Sequence, residues 1–143
     1  MITLQHDQLV FRFSHIDTDA GIRIEFQRTL RLPDDGRDYH LPPGLGRFPL
    51  RHIEDFDLGP NNKRKARGGI IMPMFQADAL WLNFHSLGYG RPELPVALKI
   101  GAGKINAVSG ERWADGLSRE PQNYVVLPGQ PWLDGFNVEK GKV

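Results

Sequence analysis

The chain has no cysteine. That excludes disulfides, thiolate nucleophiles and cysteine-ligated zinc together, and it fits a reducing, cytoplasmic setting. Neither sign of charge is in excess: 18 Lys and Arg face 17 Asp and Glu over 143 residues, a net +1 with histidine neutral. Dedicated nucleic-acid binders carry a basic surplus, so this balance argues against one. Long apolar runs are also missing. No stretch approaches the roughly 18 apolar residues of a membrane helix, and "MITLQHDQLVFRF" lacks the basic start and apolar centre of a secretory signal. No membrane partner is expected.

Several catalytic signatures are lacking as well. There is no Gly-x-Ser-x-Gly nucleophile turn, so Ser109, His85 and Asp134 would make a triad only by convergence in space. The histidines, His6, His15, His40, His52 and His85, include no His-x-x-x-His pair, and no metal ligand is assigned. "DTDAG" (17–21) resembles the start of a calcium loop, but the twelfth position, where a bidentate Glu belongs, is Arg28. It reads instead as an Asp/Gly turn. No pair of carboxylates is singled out for glycoside hydrolysis.

The stretch "KIGAGKINAVSG" (99–110) tests the phosphate-loop reading directly. A Walker loop needs glycine where Leu98 stands and Ser or Thr where Ile105 stands. The dinucleotide fingerprint fails at Asn106, and the short "INAVSG" is no helix. A hairpin explains the residues better. With a two-residue turn at Ala102-Gly103, Ile100 pairs with Ile105, Leu98 with Ala107 and Val96 with Ser109. Ile100 and Ile105 would then face the core, and Lys104 would stand at the corner as a surface contact. The competing reading is one long strand with a glycine bulge. Neither version needs a cofactor, and none is expected.

What the chain does have is punctuation. Sixteen Gly and eleven Pro separate short apolar runs, which favours many short strands joined by turns. "LVFRFSHI" (9–16) and "IRIEFQRTLRL" (22–32) alternate, with "DTDAG" as the turn of a hairpin. In the second run Ile22, Ile24 and Phe26 form one face and Arg23, Glu25 and Gln27 the other, a half-buried strand with a wet outer face. "PDDG" (33–36) reads as a turn, "RFPLRHI" (47–53) as an edge strand, and "GPNNKRKARGG" (59–69) as a basic loop. In the last, "KRKAR" is either a contact for an acidic partner or simply solvated. For "GIIMPMFQADALWLNFHS" (69–86) the expectation is a strand over 69–72, a short helix near 74–80 set by Pro73 and the spacing of Met74, Ala77, Trp81 and Phe84, then a strand. "YGRPELP" (89–95) is a loop, "YVVLP" (124–128) a strand and "GQPWLDG" (129–135) a turn. Trp81 is assigned to the core. Trp113 in "GERWADG" and Trp132 in "QPWLDG" lie in loop contexts, where an aromatic either caps a β core or anchors a ligand.

The runs "FQRTLRLPDDG", "LPPGLGRFPL", "GKINAVSGERW" and "QNYVVLPGQPWLDGFN" resemble a group of bacterial proteins of uncharacterised function. The resemblance covers most of the chain from about Ile22 onward and transfers no activity, cofactor or site. Members of that group look longer, so it implies that this chain is a short form or a fragment.

The resulting expectation is a single, mainly β, antiparallel domain, a sandwich or partly open barrel built of hairpins with one or two short helices. Its expected role is that of a binding or protein-interaction module without catalytic activity, for a protein or small-molecule partner, with Trp113, Trp132, Asp134 and Lys104 as candidate binding residues. The alternatives are an enzyme of unrecognised mechanism, with hydrolysis foremost, and a structural subunit or homo-oligomer joined through strand edges.

Overall fold

In the computed structural model, residues 1–33, 35–59, 62–88 and 94–137 are described. The fold is mainly β and antiparallel, built around one open five-stranded sheet; it is not a closed barrel. The strands β1 (Ile2–Gln5), β2 (Gln8–Arg12) and β3 (Gly21–Leu30) form a meander. His6 and Asp7, both at positive φ, make the first turn. The second connection runs from Phe13 to Ala20, so it begins four residues before the "DTDAG" expected to form it; within it Asp17 Oδ1 accepts the Asp19 amide at 2.9 Å. The short strands β4 (Arg51–His52) and β5 (Ile70–Ile71) pair with each other away from the main sheet. The nine-residue strand β6 (Asp78–Ser86) returns along the whole of β3, from Ile22 opposite Ser86 to Leu30 opposite Asp78.

β6 overturns the expected helix near 74–80. The helical spacing of Met74, Ala77, Trp81 and Phe84 competes there with an alternation of Leu80, Leu82 and Phe84 against Trp81, Asn83 and His85. The alternation prevails because β3 supplies a partner of matching length and pattern. The entry to β6 is fixed by Asp78 Oδ2, which accepts the Phe75 amide at 3.1 Å, while Asp78 Oδ1 holds Arg28 at 3.1 Å. The α-helix among the described residues is α1 (Lys63–Arg67), in the basic segment expected to be a loop. Asn62 caps it, its Oδ1 accepting from the Arg64 and Lys65 amides, a signal that "NKRKAR" does carry. A single 3₁₀ turn occupies Ile53–Asp55. Among the described residues no helix is long and apolar enough to cross a membrane.

After β6 come β7 (Val96–Leu98), β8 (Gly101–Ala102), β9 (Ile105–Asn106), β10 (Val125–Leu127) and β11 (Trp132–Leu133). β7 pairs with β10, and this ribbon covers one face of the main sheet: Val125 and Leu127 pack with Ile22, Ile24 and Phe84 as the buried core. β11, anticipated as a turn, is the edge strand beside β6, with Trp132 opposite Asn83. The segment "YGRPELP" lies largely outside the described residues.

The β8–β9 hairpin exists, with its corner one residue later than expected. Gly101 pairs with Asn106 and Ala102 with Ile105, so the turn residues are Gly103 and Lys104, at φ 57° and 71°. A two-residue turn of this hand requires positive φ at both positions. Ile100 therefore faces Ala107, whose amide donates to the Ile100 carbonyl at 2.9 Å, rather than Ile105. Leu98 and Val96 pair with Val125 and Leu127 instead of Ala107 and Ser109. Ile105 is 38% exposed while Asn106 is buried, the reverse of the expected facing. Asn106 is the reason: its Oδ1 accepts the Val108 and Ser109 amides and its Nδ2 donates to the Asn123 carbonyl, which turns the chain away from β7.

Candidate functional site

The second face of the sheet is not the wet surface its sequence suggests. Antiparallel register aligns Gln8, Glu25, Asn83 and Trp132 in one row across β2, β3, β6 and β11. Residues 45–48 run beside the second half of β3 through reciprocal bonds between Leu45, Gly46 and Arg28 and a Phe48 amide bond to Phe26, which brings Arg47 over this row. Glu25 ends up buried, with 8% of its surface exposed. One carboxylate oxygen accepts from Gln8 Nε2 and lies 3.3 Å from Arg47 Nη1. The other accepts from Gln27 Nε2 at 2.9 Å and lies 3.4 Å from both Asn83 Nδ2 and His85 Nε2. Burial pushes the Glu25 carboxyl up; the Gln27 hydrogen bond, His85 and Arg47 together outweigh it and hold the group below its ordinary value. His85 thus pairs with Glu25 and not with Asp134, as the triad would have required.

Asn83 links this cluster to a cleft of about 730 Å³. Its floor is the far half of the same face: Thr29 of β3, Trp81 and Asn83 of β6, and Trp132 of β11, with Asp134 just beyond. Its roof is the chain on either side of Gly36. The roof is tied to the floor at one point and braced within itself at another. The Thr29 hydroxyl lies within 3.3 Å of the Pro42 and Pro43 carbonyls, and Tyr39 donates its hydroxyl to Asp35 at 2.8 Å, which raises the Tyr39 phenol above its ordinary value. The volume is that of a small-molecule site.

No known protein family, curated protein or solved structure matches the chain. The geometry of the cleft therefore carries the functional reading alone.

The four candidate residues divide into two pairs. Trp132 and Asp134 line the cleft together. Trp113 and Lys104 meet elsewhere, at the hairpin, where the Trp113 amide donates to the Lys104 carbonyl at 2.7 Å. The Trp113 ring packs on Gly101, where a Cβ would come within 2.7 Å of it, and takes the Lys99 ammonium 4.4 Å from its centroid. Lys99 also donates to the Ala114 and Gly116 carbonyls. The glycines and first lysine of "KIGAGK" thus serve a turn and an indole seat. Trp81, assigned to the core by sequence, is instead a cleft wall backed by Gly44. Asn83 and the buried state of Glu25 were not anticipated. Their signal was the alternate set Trp81, Asn83 and His85, legible once 78–86 is taken as a strand. Among the described residues no group of three or more His, Asp or Glu is placed to hold a metal ion.

Proposed function

We propose that the protein is a binding module whose site is the cleft between the sheet and the chain at 31–33 and 36–42. The supporting observation is the convergence there of Trp81 and Asn83 of β6 with Trp132 of β11 and Asp134 just beyond it, two segments distant in sequence, on a cavity of about 730 Å³. Binding sites combine apolar or aromatic walls with a few placed polar groups, and this cleft has both. Trp132, 51% exposed, is a large apolar side chain left in solvent on a site wall, as an anchor would be. The test is a titration of the whole chain with a neutral naphthalene dye, read by dye fluorescence and by quenching of tryptophan. Saturable binding that is weakened about tenfold by Trp132→Ala and unchanged by Trp113→Ala supports the site. No saturable binding of this dye or of any polar or charged probe of similar size, or equal binding by the Trp132 variant, removes it.

A further inference from the structure

Resting on that reading, we infer that the cleft takes a neutral saccharide. Its described lining residues carry both signs of charge: Arg31 and Arg37 stand beside Asp38 and Asp134, and Arg37 is also paired with Asp35 at 3.7 Å. An anionic ligand drawn to the arginines would meet the two carboxylates, and a cationic one the two guanidinium groups, so neither sign of ion is favoured. What the cleft does offer is planar hydrogen-bonding groups of both kinds. The guanidinium groups donate in a fixed fork, and the carboxylates accept at two oxygens each. Asn83 adds a third kind of partner. Its amide is positioned by Glu25, 3.4 Å from Nδ2, and by His85, whose Nε2 lies 3.1 Å away, and it lines the cleft floor.

Between these polar groups stand two indoles. Register sets Trp132 directly across from Asn83 and Trp81 one position further along the same face, so ring surface and hydrogen-bonding groups alternate across the floor. A ligand matching that floor has an apolar face to lie on an indole and a rim of groups that both donate and accept. A pyranose ring has this construction: axial C–H bonds on one side and hydroxyls around its edge. A purely apolar ligand would leave Asp134 desolvated without a partner, at a cost that a hydroxyl avoids. Asn83 is buttressed by the buried Glu25 cluster, so the amide nearest the sheet is held before the ligand arrives.

The test is a tryptophan-quenching titration of the whole chain with neutral disaccharides built from glucose, galactose, mannose or N-acetylglucosamine, beside benzoate and benzylamine as charged aromatic probes. The expected result is saturable quenching by at least one disaccharide, weakened about tenfold by Trp132→Ala and less by Asp134→Asn, and unchanged by Trp113→Ala. Binding should shift less than about twofold between low and high salt, because no net charge is being matched. Thermal melting of each variant separates lost binding from lost folding. Trp132-dependent binding of benzoate, benzylamine or the naphthalene dye, with no disaccharide response, overturns the saccharide assignment and leaves the cleft as the site. No Trp132-dependent binding of any probe overturns both.

Discussion

The two faces of the five-stranded sheet are made from the same strands and do different work. On one face Ile22, Ile24 and Phe84 close against Val125 and Leu127, and the packing depends only on apolar volume. On the other face the alternate residues of the same strands, Glu25, Asn83 and His85, close a polar cluster and then open into the cleft. The first face is tolerant of chemistry and intolerant of lost volume. The second is the opposite at its centre, where the buried Glu25 is held by Gln8, Gln27, Asn83, His85 and Arg47, although Arg23 Nε and Thr3 Oγ1 on the same face are buried without a hydrogen-bond partner. Phe84 and His85 are neighbours in sequence and belong to opposite regimes.

The largest effect should come from the apolar face. Phe84→Ala empties a nearly solvent-free position and should cost about 3–5 kcal/mol in urea denaturation, enough to threaten folding. Phe84→Leu, which keeps most of the volume, should cost far less. If the two variants were equally destabilised, the first face would not be governed by volume.

Glu25→Ala should cost less, about 1–3 kcal/mol by the same measurement, through the stranding of Gln8, Gln27 and Asn83 rather than through lost volume. The near-isosteric Glu25→Gln tests the charge alone. It keeps the size and one acceptor while placing a donor against donors, so it should still be destabilised. If it proved as stable as the parent, the cluster would be a matter of packing, and the contrast between the faces would fail.

Acid sharpens the same point. The folded Glu25 carboxyl lies below its ordinary value of 4.5, so its contribution to stability is fully present above that pH. It is lost as the pH falls through the folded value. The stability gap between parent and Glu25→Gln should therefore be widest near neutrality and narrow below about pH 4. Denaturation series at pH 7 and pH 3.5 measure it. A gap that stays constant would mean that ionisation of Glu25 is not what the cluster stabilises.

The uneven legibility of the two faces has a physical cause. The apolar face could be read because alternation within one segment, Ile22-x-Ile24-x-Phe26, identifies it without knowledge of what it packs on. The polar face could not. Glu25 looks solvated until residues 8, 47, 83 and 85 are brought over it, and those contacts depend on register between strands far apart in the chain. The cleft was half legible. Trp132 and Asp134 stood out as an aromatic and a carboxylate in a Gly/Pro context, but Trp81 was hidden by a coincidence of helical and strand spacing. The hairpin at 101–106 was legible to within one residue, since Gly-Lys and Ala-Gly both look like corners and only the positive φ of Lys104 decides between them.

The smallest effects should separate two tryptophans that sequence places in similar settings. Trp113 and Trp132 are comparably exposed, at 40% and 51%, yet the first is a structural clamp and the second a cleft wall. Trp113 covers Gly101 and holds Lys99, and a cation over an indole at an exposed site contributes about 0.5–1 kcal/mol beyond the lost packing. Trp113→Ala should therefore lower stability measurably without touching the cleft. Trp132→Ala removes an edge-strand side chain whose ring faces solvent, and its stability should stay within about 0.5 kcal/mol of the parent. Melting curves of the two variants, set beside their dye titrations, should show opposite patterns: stability lost with binding kept for Trp113, and binding lost with stability kept for Trp132. Matching patterns in the two variants would show that exposure, rather than what each ring rests on, sets their roles.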